Sequence, residues 1–258
     1  MKIFATCMEC LKKNRYPNFK SSHLIPYYED RVAYLICSDG HKNAFVVPSL
    51  KFEALMESGV NALDEDFTLE ACASFSTALE RVYEFGLKVM LTHQNVDNTN
   101  YEIMFNEMAR QSERQLGAFL AMYITEFKVP YISNKKIPSF RNSIIHKGLI
   151  PCPEKATDFC SIVYKEISSI VDRLKLKFPE ALSEVIKFDL IERHKTIDPD
   201  TSVSGLSGNM FFNINKENKQ NFEDARKSFK DQKEMLLKIV SELQNISEED
   251  LSVFRSLY

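Results

Sequence analysis

The chain has 258 residues, of which 44% are hydrophobic, and its net charge is −3. It holds only seven glycines and nine prolines, so the composition favours a folded globular protein over a disordered or fibrous one. No part of the sequence approaches the roughly 18 consecutive apolar residues of a membrane-spanning helix, and the first residues lack the pattern of a secretory signal. We therefore expect a soluble cytoplasmic protein that does not enter a membrane.

Positive charge is concentrated in two segments. Residues 1–51 hold eight Lys or Arg against four Asp or Glu, and residues 127–148 hold five basic residues and no acidic one. Residues 52–126 between them hold four basic residues against thirteen acidic ones. A phosphate backbone would be attracted to the two basic segments. Chance fluctuation of charge in short segments is the alternative.

The amino-terminal 50 residues alternate in polarity as β-strands do. Short strands are predicted around residues 5–7, 31–37 and 43–50, joined by polar turns at 14–18 and 37–43. After residue 52 the spacing of apolar residues becomes helical. The sequence thus predicts a small β-rich module over residues 1–52, followed by a helical connector.

Four potential metal ligands lie in this module as two spaced pairs. Cys7 and Cys10 form a CxxC, and Cys37 and His41 form a CxxxH. Thiolate and imidazole groups at such spacing suit a tetrahedral Zn²⁺ ion with every position filled by protein, which is a structural site. The segment resembles a zinc ribbon, whose second ligand pair often includes a Gly-His as here. His23 is a weaker alternative for the fourth ligand.

The rest of the chain is predicted to be mainly helical, a single domain over residues 66–258 with a carboxy-terminal helical extension. The other cysteines are expected to be free thiols, and residues 195–215 form the longest predicted irregular stretch. A short helix is predicted over residues 139–148, with Ser139 as its expected amino-terminal cap and Gly148 as its expected end. The helices are predicted at residues 67–94, 101–128, 139–148, 154–178, 180–194 and within 216–258, and the free thiols are Cys72, Cys152 and Cys160.

One short helix carries the residues that indicate a function. Arg141 and Asn142 are followed by His146 in an R-N-x3-H pattern. On a helix, Asn142 and His146 lie four residues apart and share a face, with Arg141 on the flank of that face. Ile144 and Ile145 between them are expected to point into the core.

This order of elements resembles the HEPN superfamily: two long helices, a short helix with R-N-x3-H followed by a glycine and an Ile-Pro, and then another long helix. The resemblance covers about residues 66–193. HEPN domains are helical bundles, and many are metal-independent endoribonucleases found in toxin, phage-defence and CRISPR-associated systems. The resemblance implies an up-and-down bundle in which Arg141 and His146 are the catalytic pair, Asn142 is the polar residue beside them, and two copies of the motif meet across a homodimer.

The residue types suit RNA cleavage without a metal. An imidazole can accept or donate a proton near neutral pH, and a guanidinium stays charged and can bind phosphate oxygens through two donors. Glu80, on the first long helix, is a possible supporting residue, although a solvated helix face is the favoured interpretation.

The sequence therefore predicts a homodimeric endoribonuclease that acts on RNA, is toxin-like or phage-defensive in role, and has a possible antitoxin or defence-system partner. One alternative is a non-catalytic HEPN module that holds a partner such as a nucleotidyltransferase. Another is a zinc-dependent regulator that binds nucleic acid. An Arg and a His at this spacing also occur by chance in purely structural helices.

Overall fold

The structure is a computed structural model that describes residues 1–14, 23–108, 111–205, 208–219 and 221–245. Within these ranges the chain is mainly helical, with nine helices and a small sheet region. In chain order the elements are β1 (Lys2–Ala5), α1 (Met8–Asn14), β2 (His23–Pro26), β3 (Val32–Ile36), β4 (Lys42–Val46), α2 (Lys51–Asp64), α3 (Thr68–His93), α4 (Asn98–Met108), α5 (Ser112–Phe127), α6 (Lys136–Lys147), α7 (Pro153–Lys177), α8 (Pro179–Lys195), β5 (Ser202–Gly205) and α9 (Phe222–Gln244). The prediction of a mainly helical chain with a small amino-terminal sheet is confirmed.

The chain divides into two compact units, neither of which is continuous in sequence. As far as the ranges are described, the first unit comprises Met1–Ser49, Asp189–Met210 and Ser228–Tyr258. The second unit comprises Leu50–Phe188 and Phe211–Lys227.

The first unit contains all the described strands. β1 pairs with β2 in a two-stranded antiparallel sheet, and β4 is the central strand of a three-stranded sheet. β3 runs antiparallel to β4, whereas β5 joins its other edge in parallel. Both sheets contribute to one core because alternate strand residues turn inward. Its buried members are Ala5, Ile25, Tyr27, Ala33, Leu35, Phe45 and Val47.

Charged contacts fasten the distant segment 189–205 to the amino-terminal strands within this unit. Arg31, which is buried, binds Asp189 with a nitrogen–oxygen distance of 2.7 Å and donates to the carbonyl of Ser49 at 2.7 Å. Arg193 also pairs with Asp189 and donates to the carbonyl of Val47. Removing Asp189 would take away the carboxylate that both nearly buried guanidinium groups bind, so this network is structural.

The second unit is organised around α3, which packs against α2, α5, α6 and α7. Its buried residues recur three and four positions apart and include Phe75, Val82 and Leu87. Gly86 permits a close approach, since a Cβ atom there would lie 2.9 Å from the ring of Phe119 on α5. These contacts fix α6 beside α3, and α6 carries the R-N-x3-H pattern.

The ends of the helices follow from capping residues. Pro153 occupies the first turn of α7, where its missing N–H costs nothing. Gly148 ends α6 at φ = 65°, a left-handed conformation that glycine adopts without strain. Both features were predicted from the sequence.

Several local predictions were wrong. The single helix predicted over 101–128 is two helices, α4 and α5, and the irregular stretch 195–215 contains β5. Ser139 does not cap α6, which begins three residues earlier at Lys136. Short helix α1 was not foreseen, because seven residues are too few for periodicity to be recognised. The predicted turn at 14–18, apart from Asn14, and the predicted tail after residue 245 lie outside the described residues.

Within the described ranges, none of the helices combines the length and the apolar character needed to cross a bilayer.

Candidate metal centre and candidate catalytic helix

The structure brings together all four predicted metal ligands. Cys7 directly precedes α1 and Cys10 lies in its first turn, while Cys37 and His41 flank the turn between β3 and β4. That turn closes with hydrogen bonds from Gly40 N–H to the Cys37 carbonyl (3.0 Å) and from Cys37 N–H to the His41 carbonyl (3.2 Å). Pairing of β3 with β4 places the second ligand pair, and α1 places the first.

Four of the six separations between the ligand atoms are close to the edges of a tetrahedron. The Cys10 and Cys37 Sγ atoms are 3.8 Å apart, and both lie close to His41 Nδ1, at 3.4 and 3.5 Å. Cys7 Sγ is 3.8 Å from the same nitrogen, and the four ligand atoms all lie within 4.8 Å of one another. Metal–sulfur bonds of about 2.3 Å and metal–nitrogen bonds of about 2.0 Å require tetrahedral edges of about 3.5 to 3.8 Å. The three cysteines are buried and His41 is half-buried, so the group is a possible Cys₃His metal site.

Two further residues support the ligands, and neither was predicted from the sequence. The buried Asn43 donates from its amide to Cys7 Sγ at 3.3 Å and to the His41 carbonyl at 3.1 Å, and accepts from the Met8 N–H at 3.0 Å. Asp39 accepts from the Cys10 thiol at 3.3 Å. Asn43 stands two residues after His41, and that period-two spacing was the available signal. Such outer contacts orient metal ligands.

The thiols differ in how readily they ionise. Burial raises the pKa of Cys7, but hydrogen bonds from the Cys10 N–H and the Asn43 amide outweigh it and lower the pKa to about 7. Burial, together with hydrogen bonds to Cys7 and Asp39, raises the pKa of Cys10 to about 12. Metal binding therefore has to displace the Cys10 proton, as coordination of a thiolate does.

The side chain of His23, the alternative ligand, lies outside the described residues. Of the remaining cysteines, Cys72 and Cys160 are buried and Cys152 is exposed.

The R-N-x3-H residues lie on α6 as predicted, but they differ in environment. Asn142 and His146 are exposed and share a face of the helix. Arg141 is a quarter exposed, and its Nη2 lies 2.5 Å from Glu80 Oε1 on α3. Ile144 is buried, whereas Ile145 is 47% exposed, so the prediction that both isoleucines point into the core was wrong for Ile145.

Regular helix geometry separates the arginine from the histidine. Five residues of an α-helix correspond to about 140° of rotation and about 7.5 Å of rise. The Arg141 side chain leaves α6 toward α3, and His146 leaves it toward solvent. A single copy of α6 therefore presents the two groups on different faces.

Glu80 belongs to a polar group that the sequence did not reveal. Tyr83, one turn further along α3, packs edge-on against Tyr131, with ring centroids 6.0 Å apart. Tyr131 donates its hydroxyl to Glu166 on α7. Burial raises the pKa of Tyr83 to about 12 and also raises the pKa of Tyr131. Both phenols therefore stay protonated near neutral pH, so Tyr131 remains a donor.

Comparison with protein-family models, with curated proteins and with solved structures found no match for this chain. The resemblance to HEPN domains therefore remains a prediction that rests on the motif and the order of its flanking helices.

Proposed function

We propose that this protein is a metal-independent endoribonuclease of the HEPN type, in which His146 transfers protons, Arg141 binds the scissile phosphate and Asn142 orients the reacting groups. The observation that carries the proposal is the exposed imidazole of His146, on one face with Asn142, in a segment whose charged residues are all basic. An exposed imidazole can reach a substrate, and the basic residues attract its phosphates.

The reaction is an internal transesterification. The ribose 2′-oxygen attacks the adjacent phosphorus, and a base removes the 2′-hydroxyl proton while an acid protonates the leaving 5′-oxygen. The products are a 2′,3′-cyclic phosphate and a 5′-hydroxyl, and no metal ion or redox partner is required. The guanidinium of Arg141 stabilises the negative charge on the phosphorus oxygens.

A second copy of the chain completes this site in the proposal. One motif offers one histidine, and α6 turns Arg141 and His146 to different faces. Exposed apolar residues continue directly from the motif: Ile145 is 47% exposed, Leu149 41% and Ile150 74%. In the proposal, these residues are buried against a second copy, which would stabilise a homodimer with two-fold symmetry. Ile145→Asp is expected to shift the dimer toward monomer in sedimentation velocity.

The proposed occupant of the Cys₃His site is Zn²⁺. Three thiolates and one imidazole suit zinc, and four protein ligands leave no position open for a substrate. We assign this site the structural role of holding α1 against the β3–β4 turn. A zinc-ribbon-like module with excess positive charge also suits a contribution to RNA binding.

The biological part of the proposal follows from the resemblance alone. HEPN ribonucleases act in toxin and phage-defence systems, so we propose a toxin-like effector with a possible antitoxin or defence-system partner. One observation favours the non-catalytic alternative. The Arg141–Glu80 ion pair is also what a purely structural arginine would make.

The nuclease proposal is tested by incubating purified protein with total RNA and mapping the product ends. We expect 2′,3′-cyclic phosphate ends, cleavage that survives EDTA, and a loss of about 10²- to 10⁴-fold in His146→Ala. His194→Ala is the matched control because His194 is also an exposed histidine near the end of a helix. Equal cleavage by the His146→Ala protein and the control would reject the catalytic assignment.

A further inference from the structure

A cavity of about 800 Å³ lies between α6 and α7, within the second unit. It has the size of pockets that bind small organic ligands or a nucleotide. Arg141 and His146 are not among its lining residues. These residues are Lys135, Lys136, Ser139, Phe140, Ser143, Lys155, Asp158, Phe159, Ser161 and Ile162.

Three lysines give this cavity positive charge. Within the described part of the chain, the ammonium groups of Lys135, Lys136 and Lys155 make no ion pair or hydrogen bond. Two arginines of the same unit are neutralised instead: Arg81 binds Glu84, and Arg141 binds Glu80. With Asp158 as the one acidic residue of the lining, the cavity has an excess of two positive charges, which favours an anionic ligand.

The cavity also has an aromatic wall. Phe140 on α6 is half-buried, and its ring packs on that of Phe159 on α7 with centroids 4.8 Å apart and planes inclined by 30°. Phe159 is buried beneath it. Lysines beside an aromatic ring form the combination that binds single-stranded nucleic acid, because phosphates pair with cations and bases stack on rings.

The position of the cavity on α6 links it to the candidate catalytic histidine. Ser139, Ser143 and His146 are spaced four and three residues apart and form one row along the helix. The two serines line the cavity, and His146 is the next member of the row. A strand that lies in the cavity would therefore lead along α6 toward His146.

We propose that the α6–α7 cavity binds single-stranded RNA next to the scissile bond, with backbone phosphates at the three lysines and one base against Phe140. The inference rests on the proposed nuclease function, since it names the substrate form that this function uses. It also accounts for the unpaired cations here, in contrast to the paired Arg141. Double-stranded RNA would bind less well because its bases are already stacked.

The test uses the full-length His146→Ala protein, so that binding is measured without cleavage. Anisotropy of a fluorescein-labelled single-stranded RNA oligonucleotide is followed at several KCl concentrations. The cavity variant adds Lys135→Gln and Lys136→Gln, and the matched control adds Lys187→Gln and Lys230→Gln, which are also exposed lysines. We expect the cavity variant to bind at least tenfold more weakly than the control. The slope of log affinity against log salt should fall by about 1.4, since each lost phosphate contact removes about 0.7.

A second variant, Phe140→Leu, keeps an apolar contact with Phe159 and is expected to weaken binding about tenfold through lost stacking. Equal affinity and salt slope in the cavity variant and the control would overturn the inference. The lysine pair is also replaced in the protein that retains His146. Full cleavage with an unchanged KM by that variant would reject RNA binding in the cavity but leave the nuclease proposal standing. If the protein binds RNA through these lysines but cleaves no RNA, the nuclease function is rejected and RNA binding in the cavity is retained.

Discussion

The candidate metal centre and α6 differ in how far their polar groups are buried and bonded within the chain. At the candidate metal centre, three thiols are buried, Asn43 binds Cys7 Sγ and the adjacent backbone, and Asp39 binds Cys10 Sγ. On α6, Asn142 and His146 are exposed, and three lysines of the neighbouring cavity have no described partner. One region satisfies its polar groups from within the chain, and the other leaves them available to a ligand.

This difference distinguishes a site that stabilises the fold from a site that can bind and react with a substrate. Four protein ligands close the coordination sphere of a tetrahedral ion, so the ion contributes to folding. Exposed donors and cations contribute little to folding, because water and salt screen them. Disruption of the metal centre should therefore change stability first, and disruption of α6 should change activity first.

The largest expected effect is on the metal centre. Cys10→Ser removes one of four ligands, so bound zinc should fall from about one equivalent toward zero. The first unit should lose several kcal/mol of stability, since structural zinc sites contribute about 10 kcal/mol or more in small domains. Zinc content is read by mass spectrometry and unfolding by circular dichroism. A melting temperature lowered by on the order of 10 °C is expected.

Cys152→Ser is the matched control, because Cys152 is an exposed cysteine outside the metal cluster. It should retain zinc and melting temperature. If the Cys10→Ser protein retained a full equivalent of zinc, the four-ligand site would be wrong. His23 would then be the first residue to substitute.

The sequence allowed the metal centre to be predicted more completely than α6. All four residues of the possible metal site were identified, because Cys and His residues paired at short spacing are typical of metal sites. The supporting Asn43 was missed, since a spacing of two residues from His41 is too common a pattern to single out one amide. On α6 the motif was found, but its contacts were not. Arg141 pairs with Glu80, which is 61 residues away in sequence, and other contacts depend on how α7 packs. The exposed Ile145 shows the same limit, because periodicity predicts a face and not what covers it.

The next effect in size compares two asparagines, one from each region. Asn43→Ala removes the amide that bonds to Cys7 and the His41 carbonyl, so zinc affinity should fall about 10- to 100-fold, as with other outer contacts to metal ligands. Asn142→Ala should leave zinc affinity unchanged and lower RNA cleavage. Zinc affinity is measured by competition with a chromogenic chelator, and cleavage with a labelled RNA. Parallel losses of both properties in both variants would show that the two regions are not independent.

The smallest effect concerns Glu80, which we infer to be a positioning residue. Glu80 binds Arg141 through Nη2 and leaves the other guanidinium nitrogens available for phosphate. Glu80→Ala should release Arg141 and lower kcat about tenfold, which corresponds to about 1.4 kcal/mol, with little change in KM. Glu80→Gln keeps an oxygen acceptor and should restore part of the loss.

The matched control is Glu84→Gln, one turn further along α3, where the carboxylate binds Arg81 instead. If Glu80 only held α6 against α3, both Glu80 variants would lower stability and leave kcat unchanged. If Glu80 competed with phosphate for Arg141, Glu80→Ala would raise kcat. A fall in kcat that glutamine partly restores would mean that this ion pair belongs to the active region and not to the scaffold. It would also weigh against the non-catalytic alternative, because an arginine that serves only the fold has no reason to control turnover.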